Sequence, residues 1–289
     1  MRSMNSQDGN VAEARGAYGL VLTGLPETED LCEAPTSWPT WDVSWCIDVA
    51  PDLQQSFDSD EARLRMEPRG MAVIDRHARA TTLLLPEPPR VEAFIHPLIG
   101  TTAVVTASWL GRQSFHASSF VHAGHVWGVV GDREQGKSST IAWCVANGID
   151  VFADDLLVVE AGRALAGPRC LDLRESAATH FGMGRALGVI GTRARWRVPL
   201  RAVAPEMPLG GWVRLSWSDD VAVRPVGSAD RLRTLLDQRG LHLPEPSSSA
   251  WLQLLALPMV ELARPRDWDR LDEAMVALLG EVERLVPPA

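Results

Sequence analysis

The chain has 289 residues, of which 46% are hydrophobic and 22% charged, a balance typical of a soluble globular protein with a substantial core. Its formal net charge of −9 argues against general binding to nucleic acid or to membrane surfaces, because both are polyanions. The sequence contains neither a run of about 18 apolar residues nor the apolar region of a signal peptide, so we expect a cytoplasmic protein. The four cysteines lack C-x-x-C spacing, which gives little support to a zinc site or a disulfide framework.

The N-terminal part, residues 1–111, is predicted to be a β-rich domain that ends in a linking helix. Strands are expected over 17–25 and 41–49. Alternating apolar and polar residues around turn signals predict a small antiparallel meander over 62–86. The apolar spacing over 92–111 favours a helix that links this part to the rest of the chain.

The pattern changes after residue 111. A short apolar run over 125–131 ends on glycine, a segment with helical spacing follows over 137–148, and 148–160 is typical of a buried strand. This βαβ-like order predicts an α/β domain over 112–289. A loop is predicted over 244–249, and further helices are predicted over 228–240, 250–257 and 267–286.

Lys137 is the single lysine among 28 basic residues. It lies in a stretch that fits G-x-x-x-x-G-K-[ST], in which backbone N–H groups surround phosphate oxygens, the ammonium reaches the outer phosphates and the hydroxyl binds Mg²⁺. An arginine is bulkier and planar, and it cannot replace a compact ammonium inside such a loop. The sequence therefore predicts that ATP binds to the glycine-rich loop (residues 131–138) and the residue after it: Gly131, Asp132, Arg133, Glu134, Gln135, Gly136, Lys137, Ser138 and Ser139.

Two acids, Asp154 and Asp155, end an apolar strand about one helix length beyond the loop. Together with the loop and a preceding histidine, they give the spacing His116, Gly131, Gly136, Lys137, Ser138, Gly148, Ala153, Asp154 and Asp155. This stretch resembles the catalytic core of HPr kinase/phosphorylase. Downstream, 167–175 resembles that family's Glu-Ile-Arg-Gly segment, with Asp172 and Arg174 at the positions of its metal-binding glutamate and its arginine. The resemblance covers 112–175 and implies an α/β fold in which a P-loop, HPr-kinase-like catalytic domain follows a smaller β-rich domain.

The resemblance also implies a reaction, the transfer of a phosphoryl group from ATP to a hydroxyl with the help of Mg²⁺. The implied roles are Asp155 as the base, Asp154 and His116 as its supports, Lys137 as the phosphate ligand, and Ser138 and Asp172 as the Mg²⁺ ligands. Because successive strand residues point to opposite faces, we expect only one of the two adjacent aspartates to face the phosphate. The structural alternative is an acid pair that caps a neighbouring helix.

The sequence departs from the family in ways that bear on the substrate. Glu134 replaces a glycine of the family's loop and puts a carboxylate near the phosphates, and Glu175 replaces the glycine of the downstream segment. The long basic segment that docks HPr is not recognisable, so HPr is not expected as the acceptor. The outline resembles the smaller HPr-kinase-like proteins that tailor lasso and other ribosomal peptides, which implies a serine of a precursor peptide. A small-molecule hydroxyl and a non-catalytic, nucleotide-sensing module are the alternatives.

The segment 185–201 holds five arginines and no acid, which is unusual in an acidic protein. Such a cluster could hold ATP phosphates or receive an acidic peptide or carboxylate, and the alternative is a solvated loop. The candidate substrate ligands are Arg174, Arg195, Arg197 and Arg201. The resemblance leaves a homo-oligomer open, since no interface is recognisable in the sequence.

Overall fold

The structure is a computed structural model, and it describes residues 14–48, 54–66, 69–241 and 248–286. The strands are β1 (Arg15–Ala17), β2 (Leu20–Thr23), β3 (Cys32–Glu33), β4 (Thr40–Ile47), β5 (Ser56–Phe57), β6 (Glu61–Arg65), β7 (Met71–Asp75), β8 (Ala80–Leu85), β9 (Gln113–Phe115), β10 (Ser118–His122), β11 (His125–Val130), β12 (Val151–Ala153), β13 (Leu157–Glu160), β14 (Arg163–Leu165), β15 (Cys170–Leu173), β16 (Arg185–Ile190), β17 (Arg193–Pro199), β18 (Glu206–Trp217), β19 (Ala222–Pro225) and β20 (Met259–Arg264). The helices are α1 (Val91–Ala93), α2 (Ile99–Trp109), α3 (Lys137–Ala146), α4 (Glu175–Phe181), α5 (Ser228–Asp237), α6 (Ser248–Ala256) and α7 (Leu271–Leu285). These elements form a mixed α/β protein with several sheets.

The first sheet has the strand order β3-β1-β2-β4-β8-β7-β6-β5. The predicted meander over 62–86 is confirmed as the antiparallel run β6-β7-β8. The predicted strand over 17–25 is confirmed over β2 only, because Tyr18 and Gly19 both have positive φ and turn the chain into an antiparallel hairpin of β1 and β2. Every second side chain of β8 is buried, as expected for a sheet that covers a core on one face.

A helical segment links this sheet to the rest of the chain, as predicted. It comprises α1, a kinked turn over Phe94–Leu98 and α2, and His96 at the kink is extended, with φ −152° and ψ 122°. Within the described residues, Val91–Trp109 has the length and hydropathy of a membrane span, although 56% of it is buried inside the protein. Because α2 packs on β7 and β9, this segment is a core helix that also carries His96 into the interior.

The second sheet has the order β12-β10-β11-β18-β14-β13-β9, and β20 and β19 extend it from β18. Three neighbouring strands, β11, β18 and β20, are parallel to one another. Their carboxyl ends therefore lie at one edge, where the glycine-rich loop follows β11. In an open α/β sheet this edge is where ligands bind.

The predicted strand over 148–160 is interrupted. Its first half is β12, which pairs with β10, and its second half is β13, which pairs with β9 and β14. Asp155 lies between them in a left-handed conformation, with φ +60°. The chain therefore turns at the two aspartates instead of running straight through them.

A third sheet has the order β15-β17-β16 and packs with α3, α4 and α7 around a shared core. The helices predicted in the C-terminal third are confirmed as α5, α6 and α7, whereas the loop predicted over 244–249 lies mostly outside the described residues. Leu156, Val158 and Leu165 share a core with the first sheet. The division of the chain at residue 111 stays a prediction.

Candidate functional site: two clefts that meet at an aspartate

The glycine-rich loop lies between β11 and α3 and folds around its own lysine. The Lys137 side chain is 8% exposed, and its Nζ donates to the carbonyl oxygens of Gly131 at 2.5 Å and Asp132 at 3.4 Å. Burial is the main reason why the pKa of Lys137 lies below its ordinary value, and Asp155 partly offsets it. Because these hydrogen-bond partners are neutral carbonyl oxygens, an anion in the loop would be a stronger partner for the ammonium.

The loop also opens the N-terminus of a helix. Gly136 precedes α3 with φ +90°, and no side chain caps the helix. The first N–H groups of α3 therefore have no acceptor within the helix, and they carry the positive end of its dipole. Together with Lys137, they form a site suited to phosphate oxygens.

A cavity of about 790 Å³, here called the loop cavity, surrounds this loop. Most of the predicted ATP-binding residues line it, as do His116, Asp155 and Arg174, whereas Gln135 and Asp154 do not. Gln135 instead turns inward and accepts a hydrogen bond from the Asp132 amide at 2.7 Å. Glu134, with φ +69°, ion-pairs with Arg174 at 3.3 Å.

The two aspartates converge with a histidine that the sequence analysis does not identify. Asp155 Oδ2 lies 3.1 Å from His96 Nε2 and 3.5 Å from an Arg193 nitrogen. Asp154 is 5% exposed and accepts a hydrogen bond from the Ser118 hydroxyl at 2.8 Å. Asp155 lines the loop cavity and Asp154 does not, as expected for two adjacent aspartates, but Asp155 lies in a turn, so the alternation of a strand is not the reason.

The surroundings shift the pKa values of the two carboxyl groups in opposite directions. Burial and the adjacent Asp155 raise the pKa of Asp154 to about 6. Burial would also raise the pKa of Asp155, but His96 and Arg193 outweigh it and hold that pKa well below the usual range. Asp155 is therefore ionised at neutral pH.

The same three residues could hold a cation. One ligand atom from each of His96, Asp154 and Asp155 lies within 4.8 Å of the other two. An imidazole nitrogen with two carboxylates is a donor set that suits a divalent transition metal better than Mg²⁺, which prefers oxygen ligands.

A second cleft, of about 490 Å³, adjoins the loop cavity at Asp155. The N-terminal sheet, α2 and the segment after α5 form its walls, to which Tyr18, Arg65, His96 and Thr101 contribute. His116 and Asp155 line both cavities. Partial desolvation and the charge of Lys137 lower the pKa of His116, so its imidazole is neutral at neutral pH.

The remaining predicted ligands lie elsewhere. Asp172 is 2% exposed and does not line the loop cavity. Its Oδ1 accepts from Arg197 Nε at 2.8 Å, and its Oδ2 accepts from Arg197 at 3.0 Å and from Arg195 at 3.4 Å. The structure therefore does not bring Asp172 to Ser138, and Arg195 and Arg197 are buried ion-pair partners on β17. Arg201 is exposed and donates to the Gly148 carbonyl at 3.1 Å.

This buried network predicts a structural effect for Asp172→Asn. Removing one charge leaves the buried Arg195 without its carboxylate partner and leaves Arg197 with Asp30 alone, so we expect the free energy of unfolding to fall by about 3 kcal/mol. Urea denaturation would measure the change, and the exposed Asp132→Asn is the control, expected to leave stability unaltered. Equal stability of Asp172→Asn and wild type would contradict the interpretation.

A second expected result concerns pH. The pKa of Asp154 is about 6 in the folded protein against an ordinary 3.8, so the folded state binds this proton more tightly. The raised pKa of Asp154 adds about 3 kcal/mol to the free energy of unfolding below about pH 4, and this contribution is lost as the pH rises through about 6. Urea denaturation between pH 4 and 7 should show a weaker decline for Asp154→Asn than for wild type, and parallel curves would refute the expectation.

Several residues of the loop cavity are not among the predicted site residues, namely Arg193, Trp217, Arg264 and Trp268. The same holds for His96, which lines the second cleft and contacts Asp155. The clearest available signal was the pair of arginines at 264 and 266, which directly follows an apolar strand.

No family model and no curated protein matches the chain. Among solved structures, the HPr(Ser) kinase/phosphatase from Coxiella burnetii is similar with a TM-score of 0.30 and 11% sequence identity, over 60% of this chain and 98% of that chain. The function of this protein is therefore argued from its own site.

Proposed function

We propose that the protein is an ATP-dependent phosphotransferase that transfers the γ-phosphoryl group to a hydroxyl. The observation that carries the proposal is the meeting of the loop cavity and the second cleft at Asp155 and His116. Phosphoryl transfer requires a phosphate donor and an acceptor on opposite sides of the reacting phosphorus, with a carboxylate beside the acceptor hydroxyl.

The loop cavity is the donor side in this proposal, and the glycine-rich loop acts as a P-loop. Lys137 and the first amides of α3 would bind the phosphate chain. Arg174 lies 3.3 Å from Glu134 and partly offsets the negative charge that Glu134 brings close to the phosphates. This pairing favours a working nucleotide site over an impaired one.

Mg²⁺, when bound with ATP, neutralises charge that develops on the phosphate oxygens. The Ser138 hydroxyl lines the loop cavity and is the ligand that the loop offers. Asp172 does not fit the second ligand position, because its two oxygens already accept hydrogen bonds from Arg195 and Arg197. Carboxylates that do line the cavity are Asp132, Glu134, Asp155, Asp237 and Asp267.

Asp155 would orient the acceptor hydroxyl and take its proton. His96 and Arg193 hold its pKa low, so it is a weak base that is ionised before the acceptor arrives. A weak base is sufficient here, because in a loose transition state the positioning of the nucleophile contributes more than early deprotonation. The neutral His116 is a hydrogen-bonding support beside it.

The second cleft would hold the acceptor, which we propose to be a serine in a peptide. A cleft of about 490 Å³ has room for more than one hydroxymethyl group and so accommodates flanking residues. Its walls come from the first sheet as well as from the second, so the β-rich part takes part in acceptor recognition in this proposal.

The test is to follow the γ-phosphate of labelled ATP with the wild-type protein and a pooled panel of serine-containing peptides, using mass spectrometry. Label on a peptide serine would support the proposal. Label on an added small hydroxyl compound, with none on peptides, would replace the peptide by a small molecule. Binding of MgATP without any consumption, with every acceptor tried, would indicate a nucleotide-sensing module instead.

A further inference from the structure

Arg264 is a buried cation without a matching anion. It ends β20 and is 3% exposed, and among the described residues no carboxylate lies within ion-pair distance of it. Within the described part of the chain its side chain makes a single hydrogen bond, a long one of 3.5 Å from a terminal nitrogen to the Gly136 carbonyl, and its Nε has no hydrogen-bond partner. Burial alone lowers the pKa of Arg264 to about 10.

The position of Arg264 in the second sheet places its side chain beside the glycine-rich loop. Trp217 at the end of β18 and Arg264 at the end of β20 are direct neighbours in the parallel ladder, next to the strand that leads into the loop. The guanidinium carbon of Arg264 lies 4.8 Å from the centre of the Trp217 ring. Both side chains line the loop cavity.

The glycine-rich loop packs closely against Arg264 and Trp217. A Cβ added at Gly136 would lie 2.4 Å from an Arg264 nitrogen and 3.1 Å from the Trp217 ring. Gly136 also has φ +90°, a conformation that glycine adopts without strain. Arg264 is therefore packed directly against the residue that precedes Lys137.

A buried, unpaired charge costs stability unless an anion compensates it. Arginine is also suited to phosphate, because its planar group offers several N–H donors in a fixed fork. We propose that Arg264 is a ligand of the phosphate chain of the bound nucleotide, and that Trp217 holds its guanidinium in place. This inference rests on the proposed function, since it requires a polyphosphate in the loop cavity.

The experiment compares wild type, Arg264→Met and Arg224→Met by calorimetric titration with ATP in the presence of Mg²⁺ and by thermal unfolding. Arg264→Met is expected to weaken ATP binding by about 10- to 100-fold, as for loss of hydrogen bonds to a charged group. Without ATP, its melting temperature should be unchanged or higher, because the buried charge is gone. Arg224→Met removes the same charge from an exposed position on β19 outside the cavity and should bind as wild type does.

The outcomes separate this inference from the proposed function. If wild type binds ATP and Arg264→Met binds it equally well, the phosphate role of Arg264 is wrong and the proposed function stands. If wild type binds no ATP, both are wrong. A lower melting temperature without ATP, combined with an unchanged shift on adding ATP, would show a structural role. Arg264→Lys keeps the charge and is expected to lose part of the affinity for ATP. It replaces Arg264→Met in the experiment if Arg264→Met does not fold.

Discussion

Asp155→Asn is expected to lower phosphoryl transfer by about 10²- to 10⁴-fold and to leave MgATP binding close to wild type. The substitution removes the charge that would orient and deprotonate the acceptor, while the phosphate ligands of the loop stay in place. Asparagine has nearly the same shape and tolerates a left-handed backbone better than most residues, so the turn at φ +60° should persist.

The measurement combines the initial rate of label transfer with the affinity for MgATP. Slow release of phosphate to water serves as the rate if no acceptor has been identified. Asp219→Asn is the control, because it removes the same charge from an exposed position outside both cavities. Equal turnover by Asp155→Asn and wild type would remove Asp155 from the role of base.

The loop and its helix could be predicted from the sequence because the signals are local. Glycine spacing, one lysine and helical periodicity lie within about twenty residues, and β11 and α3 begin where these signals place them. The loop's contact with Arg264 could not be predicted. It depends on β18 lying between β11 and β20, and that order joins strands far apart in the chain.

The two aspartates show a different limit. Apart from its acids the stretch over 148–160 is apolar, as in a single buried strand, and the adjacent aspartates are the one local sign of the turn at Asp155. The break arises because β12 and β13 pair with different strands of the same sheet. The partner His96 comes from a kink in the helical segment that follows the first sheet, so only the folded chain brings it to Asp155.

The arginines over 185–201 show a related limit, because their acidic partners lie outside this segment. The segment holds no acid, which suggests an anion-binding surface. In the structure, however, Arg195 and Arg197 on β17 form ion pairs with Asp172 on the adjacent strand β15. Arg197 also pairs with Asp30 at 3.1 Å. The same pairing engages both carboxylate oxygens of Asp172. Local composition does not reveal such a compensating charge on another strand.

Lys137→Arg is expected to be nearly as damaging as loss of Asp155, although it preserves the charge. The Lys137 side chain is 8% exposed, and its Nζ is 2.5 Å from the Gly131 carbonyl inside the loop. A planar guanidinium is larger than an ammonium, so it would either distort the loop or point out of it. We expect transfer to fall by about 10²- to 10³-fold, the range for removal of one well-placed donor to the transition state, and MgATP affinity to fall as well.

Arg133→Lys makes the reverse exchange at an exposed position of the same loop and should retain wild-type activity. Initial rates and MgATP titrations of the two variants would measure the comparison. Full activity of Lys137→Arg would mean that the loop accepts any cation, and the single lysine of the chain would then be an accident of composition. Loss of activity in Lys137→Arg alone would show that the site selects the compact ammonium, because both exchanges keep the positive charge of the loop.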